Sequence, residues 1–378
     1  MARGKGKSRR RRKDWHARWE AGKDIHEPKR QRLRPPEVKL GEGSFATGQA
    51  SELDSWQQIS GMVTGVFRRG TFVRVDGEEL YCGIAKTFRP PEGFEHTSPL
   101  AVGDACTVAL VPDDLVDGQV ELDRNRMDGM ILSREPRRTV LARPEPRSDR
   151  RRDEYDEEDF LKVIAANMDV LMIVAATHKP ALSAGLIERF RIIAERGGLQ
   201  ALLVLNKIDL GEPDAQAWHS VELLDLEVLR VSAAAGLGLP ALRDRLAGQR
   251  TVLAGASGVG KTTLINAIIP DIDAATNTVR AKDQRGRHTT SQARVYNVPH
   301  AQGGLIIDTP GIRELDVGLR IEDLPWYFPE IEAVAPDCKF RDCSHTHEPG
   351  CAVQAAVEAG EIPPRRFESY LRMRDTVQ

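Results

Sequence analysis

The chain has 378 residues, 40% hydrophobic and 29% charged, with a formal net charge of −2. That length and balance allow two or three globular domains, each with a sizeable core. No run approaches the ~20 apolar residues of a membrane span, and the N-terminus has charge but no apolar stretch before a cleavage site. Membrane insertion and secretion are therefore not expected, and a cytoplasmic setting is.

The small net charge hides an asymmetry. Residues 1–34 hold fourteen Lys/Arg against four Asp/Glu, leaving 40 against 52 for the rest. Residues 1–55 read as a basic arm. The density of charge in "KGKSRRRRK" suits a polyphosphate backbone through counterion release, and Trp15 and Trp19 can stack on bases; a solvated tail is the alternative.

Residues 56–143 change texture. The runs "GMVTGVF", "TFVRV", "ELYCGI", "ACTVALV" and "GQVEL" are short and β-rich, with turn signals such as Asp76-Gly77 between them. Short strands at this spacing predict a small β-barrel of OB-fold type, with Arg68, Arg69 and Arg74 at its surface. Such barrels often hold nucleic acid, although a purely structural barrel fits the same pattern. Cys82 and Cys106 sit among apolar residues and read as small buried hydrophobes.

Residues 144–160, "PEPRSDRRRDEYDEED" and its flanks, are charged and poor in apolar residues and read as a linker. Over 161–317, strands alternate with helical segments. "VLMIVAA" is a continuous apolar run, as a parallel strand covered on both faces requires. "ALLVLN", "EVLRVSA", "RTVLAG" and "GLIID" follow, with "AGLIERFRIIAE" and "LPALRDRLAG" as helices. The expected architecture is multidomain α/β with a doubly wound sheet.

Strand "ALLVLN" delivers Asn206, Lys207, Ile208 and Asp209 into a loop, in the shape of a guanine-reading box. The Asp209 carboxylate can accept from guanine N1–H and the 2-amino group, donors that adenine lacks, while Asn206 braces the loop and Lys207 covers the base. Such a box needs a phosphate loop. "GASGVGKTT" over 255–263 fits G-x-x-x-x-G-K-[ST], with Gly255, Gly260, Lys261 and Thr262 at the defining positions and a strand before and a helix after. Backbone around Ala256, Ser257, Gly258 and Val259 turns inward on phosphate oxygens at a helix N-terminus. Lys261 reaches the β- and γ-phosphates, Thr262 ligates Mg²⁺ and Thr263 completes the first turn. In "DTPG", Asp308 holds Mg²⁺ through water and the Gly311 N–H senses the γ-phosphate. The loop "RGRHTTS" between them supplies a switch threonine, Thr290 or else Thr289. Ile312 stands where a water-orienting Gln is placed in Ras-like GTPases, and an apolar side chain cannot do that work. His288 is the nearest replacement, or else a hydrogen-bonding loop residue. In "VSA", Ser232 and Ala233 sit at another strand end, and the Ala233 N–H can donate to guanine O6.

The motif order is guanine box, V-S-A, phosphate loop, switch threonine, D-T-P-G. That is a circular permutation, feasible because domain termini often lie close together. Over 318–378 the stretch "CKFRDCSHTHEPGC" offers Cys338, Cys343, His345 and Cys351 with spacing C-x4-C-x-H-x5-C. A Cys₃His set suits one tetrahedral, structural zinc, with His347 as a competing ligand. The closing "FESYLRMRD" reads as a helix.

At these motifs, with "IAANMD" before the first sheet strand, the chain resembles the ribosome small-subunit-dependent GTPase A family (RsgA/YjeQ). The resemblance covers roughly residue 57 to the end. It implies a GTPase that binds the small (30S) ribosomal subunit and its rRNA late in assembly, with subunit-stimulated hydrolysis of GTP to GDP driving release, and with His288 as the hydrolytic residue. A monomer with no membrane partner is expected. Two other readings use the same motifs: an RNA-binding module that GTP merely gates, with incidental hydrolysis, and a nucleotide-driven metal chaperone, which a fully ligated zinc set disfavours. The basic arm and the charged insert near 147–158 are longer than the family pattern needs, so the resemblance assigns them no role.

Overall fold

The structure, a computed structural model, describes residues 52–67, 70–90, 99–112, 127–144, 161–269, 294–308, 319 and 321–376. Strands β1 (Gln58–Phe67), β2 (Gly70–Val75), β3 (Glu78–Ile84), β4 (Ala105–Leu110) and β5 (Gly129–Arg134) close a barrel in the order β1-β2-β3-β5-β4. β4 returns to pair antiparallel with β1, and β3 and β5 run parallel, the closure of an OB-fold. Val63, Val73, Val108 and Ile131 fill it together with Cys82 and Cys106. Burial pushes both thiols up to about 12, so they act as inert packing groups. Gly61 permits the close approach of β1 and β2, since a Cβ there would meet Val73 Cγ1 at 2.5 Å.

The fifth strand was expected at "GQVEL", which lies outside the described residues; β5 takes that place. Its signal is masked because it ends on Arg134, an arginine only 2% exposed that donates to the carbonyls of Pro99 and Glu135. Burial lowers its pKa to about 10. Arg74, expected at the surface, is partly buried: its side chain is 19% exposed and bonded to Glu79 and Asn297. Arg68 and Arg69 lie outside the described residues.

Strands β6 (Val140–Pro144) and β7 (Leu161–Ala166) form an antiparallel pair beside the barrel. They lie on either side of the charged segment 145–160, which is itself outside the described residues, so the two ends of that segment belong to one ladder. The joint to the barrel is dense. Ala166 N–H donates to Val102 O at 2.8 Å. Arg137 makes a two-pronged bond to Asp104, both at 2.8 Å, with both residues buried. Asn167, in the left-handed region at φ 57, accepts from Arg138 N–H and donates to Gly103 O at 2.8 and 3.1 Å.

The second sheet has six strands in the order β10-β9-β8-β11-β13-β12. In chain order its elements are β8 (Val170–Ala176), α1 (Ala184–Arg196), β9 (Gln200–Asn206), α2 (Ala215–Glu222), β10 (Glu227–Arg230), α3 (Leu239–Leu246), β11 (Arg250–Ala254), α4 (Lys261–Ile268), β12 (Arg294–Asn297) and β13 (Leu305–Asp308). All pairs are parallel except β12 with β13. All seven residues of β8 are buried because helices cover both faces. Val170, Met172 and Val174 join Leu242 and Leu264 on one side, and Leu171 and Ile173 join Ile187 and Phe190 on the other. Ser183 and Asp214 cap α1 and α2 through Leu186 and Ala217 N–H, so local chemistry starts these helices; α2 was not expected from the sequence.

After β13 come α5 (Pro329–Val334), α6 (Ala352–Glu358) and α7 (Pro364–Thr376). Helix α7 is tied to α1 by Arg366, which bonds Glu188 and, at 2.5 Å, Glu330, while Ser369 Oγ donates to the other Glu188 oxygen. The Arg366 guanidinium lies 4.5 Å over the Phe328 ring, and Arg191 donates to Tyr327 O at 2.7 Å. No helix among the described residues is long and apolar enough to cross a membrane.

Candidate functional site

β11 lies inside the sheet between β8 and β13, so its C-terminal end opens between two strand ends, where ligands of open α/β sheets bind. The loop that follows is shaped by glycine. At Gly255, φ is 136 and a Cβ would meet Val174 O at 2.2 Å; at Gly260, φ is 96 and a Cβ would meet Asn206 Nδ2 at 2.5 Å. Val259 is buried and anchors the loop, while Ser257 and Gly258 are exposed and Ala256 is half-buried. Lys261 opens α4 and its ammonium is held over the loop by the carbonyls of Gly255 and Ala256, at 2.7 and 2.6 Å. Thr262 and Thr263 are exposed on the first turn, and Asp308 is half-buried at the end of neighbouring β13.

One amide ties this loop to the base box. Asn206, buried at the end of β9, donates to Val259 O at 2.9 Å and accepts from Ala233 N–H at 3.0 Å. Lys207 takes the left-handed conformation at φ 64, and its ammonium donates to Gly258 O at 2.7 Å and to Lys179 O. A 3₁₀ turn over Ile208–Leu210 then presents the exposed Asp209. Ser232 Oγ accepts from Ala235 N–H at 3.0 Å, so its single proton goes to Asp209 Oδ1 at 2.5 Å. The carboxylate is thereby fixed before any base arrives.

Two features differ from the sequence reading. The Ala233 N–H, expected as a donor to guanine O6, is engaged by Asn206 Oδ1, so contact with a base requires that bond to be shared or exchanged. The end of β8 also joins the site: Thr177 Oγ1 donates to Lys207 O at 2.7 Å, beside the Lys179 carbonyl that holds the Lys207 ammonium. No motif marks these two residues. The available signal was positional, a strand end next to the phosphate strand. His288, Thr289, Thr290, Gly311 and Ile312 lie outside the described residues.

The second cluster sits between α5 and α6. The ligand atoms of Cys338, Cys343, His345 and Cys351 all lie within 4.8 Å of one another. His345 Nδ1 stands 3.6 Å from Cys338 Sγ and 3.4 Å from Cys351 Sγ, and the two sulfurs are 3.9 Å apart. Tetrahedral zinc with N and S ligands at about 2.0–2.3 Å separates them by about 3.5–3.8 Å, so the donor set fits. His347 stays outside the cluster, with its Nδ1 at 2.8 Å from Thr346 Oγ1. The loop is organised around Glu348, which accepts from Ser344, Thr346 and His347 N–H; its carboxyl is held well below the usual range, chiefly by the Ser344 hydroxyl. Cys351 also caps α6 through Gln354 N–H.

Residues 134–318 match the family model for RsgA GTPase. The chain is 38% identical over 279 residues to the small ribosomal subunit biogenesis GTPase RsgA of Gemmatimonas aurantiaca, covering 73% of this chain and 84% of that one. It is 36% identical to the protein of the same name from Chlorobaculum parvum, covering 85% and 99%. Among solved structures, it is similar to YjeQ from Thermotoga maritima, with TM-score 0.56 and 27% identity over 84% of this chain and 98% of that chain. It is also similar to YloQ, described as a circularly permuted GTPase, with TM-score 0.53 and 26% identity over 84% and 94%.

Proposed function

The chain belongs to the RsgA GTPase family, and we propose that it hydrolyses GTP in maturation of the small (30S) ribosomal subunit, as the names of its relatives say of them. The observation that carries the nucleotide reading is the Asn206 side chain. It joins a phosphate loop, a base box and the V-S-A turn that lie up to 53 residues apart in sequence. Three motifs placed at strand ends by chance would not share one amide.

In this reading the backbone N–H groups of 255–260 surround the phosphates, and Lys261 passes from the Gly255 and Ala256 carbonyls to the β- and γ-phosphates. Asp209 reads the guanine edge in the orientation Ser232 gives it. Thr262 and Asp308 would hold Mg²⁺, which would neutralise charge on the phosphate oxygens. Thr290 and Gly311 close on the γ-phosphate, and His288 orients the attacking water. The barrel, the zinc region and the basic arm grip rRNA. The protein acts in the cytoplasm as a monomer. Turnover measured with and without purified small subunits, with ATP as control, tests this: GTP hydrolysis should rise with subunits and ATP hydrolysis should not. A GTPase rate indifferent to subunits would leave the function wrong.

Cys338, Cys343, His345 and Cys351 would hold one structural zinc in this proposal, stapling the segment between the short helices α5 and α6. Elemental analysis should find one zinc per chain. Cys343→Ser should lower the melting temperature and raise amide exchange in α6 while leaving GTP affinity unchanged. A loss of GTP affinity equal to that of a phosphate-loop variant would contradict a structural role.

A further inference from the structure

We propose that Arg74 and Asn297 form a strut between the barrel and the nucleotide-binding sheet, through which rRNA held by the barrel raises the rate of GTP hydrolysis. The inference rests on the proposed subunit-stimulated activity and adds the residues that transmit it.

Arg74 lies on barrel strand β2, and its guanidinium is held at both ends. Nη2 donates to Glu79 Oε1 on β3 at 3.4 Å, and Nη1 donates to Asn297 Oδ1 on β12 at 3.2 Å, across 223 residues of chain. Its Nε is buried with no partner among the described residues. The side chain is only 19% exposed and its charge is already matched by Glu79. It is therefore poorly placed to bind a phosphate and well placed to hold two parts of the molecule at a fixed separation. A planar fork with donors on two nitrogens does this; an ammonium on a flexible stem does not.

The far end of the strut matters because of where β12 sits. Among the described residues it is a four-residue edge strand paired to β13. An edge strand this short has few ladder bonds to fix it. Asn297, its last residue, lies opposite Leu305, and Arg294, its first, lies opposite Asp308. Strand β12 thus has the barrel contact at Asn297 and, at its other end, pairs with Asp308, the proposed Mg²⁺ residue on β13. Displacement of β2 by bound rRNA would arrive at Asn297 and shift β12 together with β13, since Tyr296 of β12 and Ile306 of β13 share one packed core. Arg74 and Asn297 are positioning residues: neither touches nucleotide.

The test compares Arg74→Ala, Arg74→Lys, Asn297→Ala and the Arg74→Ala/Asn297→Ala double variant. The readouts are intrinsic GTPase rate, melting temperature, subunit binding with a non-hydrolysable GTP analogue, and kcat and KM of the subunit-stimulated reaction. Intrinsic rate and subunit binding should stay at wild-type values in every variant. The stimulated kcat should fall at least about fivefold, the lower end of ordinary coupling between sites, in Arg74→Ala and in Asn297→Ala. The double variant should be no worse than either alone, because both remove one link. Arg74→Lys should fall with them although its charge is kept. Unchanged stimulated kcat in Asn297→Ala overturns the proposal, as do multiplicative effects in the double variant. So does a defect confined to KM for subunits, which would make Arg74 a direct rRNA contact. A wild-type protein that subunits do not stimulate fails the functional reading instead, before any variant is compared.

Discussion

Arg366→Ala is expected to destabilise the protein by about 3–5 kcal/mol, the usual cost of removing one partner from a buried ion pair. The Glu188 side chain is wholly inaccessible to solvent and that of Arg366 is 8% exposed. Without the guanidinium, Glu188 keeps the Ser369 hydroxyl as a hydrogen-bond donor, in a core formed by Phe190, Phe328 and Tyr370. Glu330 and the Phe328 ring lose their cation at the same time. Urea unfolding monitored by tryptophan fluorescence measures the loss. The pair itself need not be worth that much, since the desolvation of two charges offsets most of their attraction. Arg366→Met combined with Glu188→Gln should therefore cost much less than Arg366→Ala alone. A single-variant loss below about 1 kcal/mol, the level of an exposed ion pair, would mean that solvent reaches Glu188.

Asp209→Asn is expected to weaken GTP binding by about two to four orders of magnitude. In the proposed function the carboxylate accepts two bonds from the guanine edge, each contributing roughly 1.5–3 kcal/mol because the acceptor is charged; every 1.4 kcal/mol is about tenfold in affinity. The substitution removes the charge and turns one acceptor into a donor facing guanine's own donors. It should correspondingly improve binding of xanthosine triphosphate, whose 2-oxo group accepts where guanine donates. Ser232 stays compatible, since its hydroxyl can still donate to the amide oxygen. Titration with fluorescent GTP and xanthosine triphosphate measures both. GTP affinity within about tenfold of wild type would remove Asp209 from base recognition.

What could be read from the sequence was local. The phosphate loop, N-K-x-D, V-S-A and the Cys₃His set each lie within a few residues, and each carries its chemistry in residue type and spacing. The apolar run of β8 announced a covered parallel strand for the same reason. The parts that escaped reading depend on partners far along the chain. β5 ends on a charged residue, Arg134, whose burial no local pattern reveals. β6 and β7 find each other across a charged segment that reads as a linker. β12 is a four-residue edge strand, too short to stand out. Arg366 and Glu188 are 178 residues apart, and Arg74 and Asn297 are 223 apart. Within the site, Thr177 and Lys179 contribute through position and a backbone carbonyl, neither of which leaves a motif. His288, Thr290 and Gly311, the expected switch residues, fall in segments outside the described residues.

The strand order of the second sheet has a consequence for how the protein is made. β8, β9 and β10 form one contiguous half, and β11, β13 and β12 the other, meeting only along the β8–β11 edge. Synthesis from the N-terminus completes the first half while one edge of its wholly apolar strand β8 is still unpaired, and residue 254 must emerge before β11 can cover that edge. The Asn206 bond to Val259 O crosses that edge. So does the proposed nucleotide, with its base on the early half and its phosphates on the late one. GTP is then also a stitch: by binding the joined halves and neither alone, it should raise the melting temperature in proportion to the logarithm of its concentration once above its Kd.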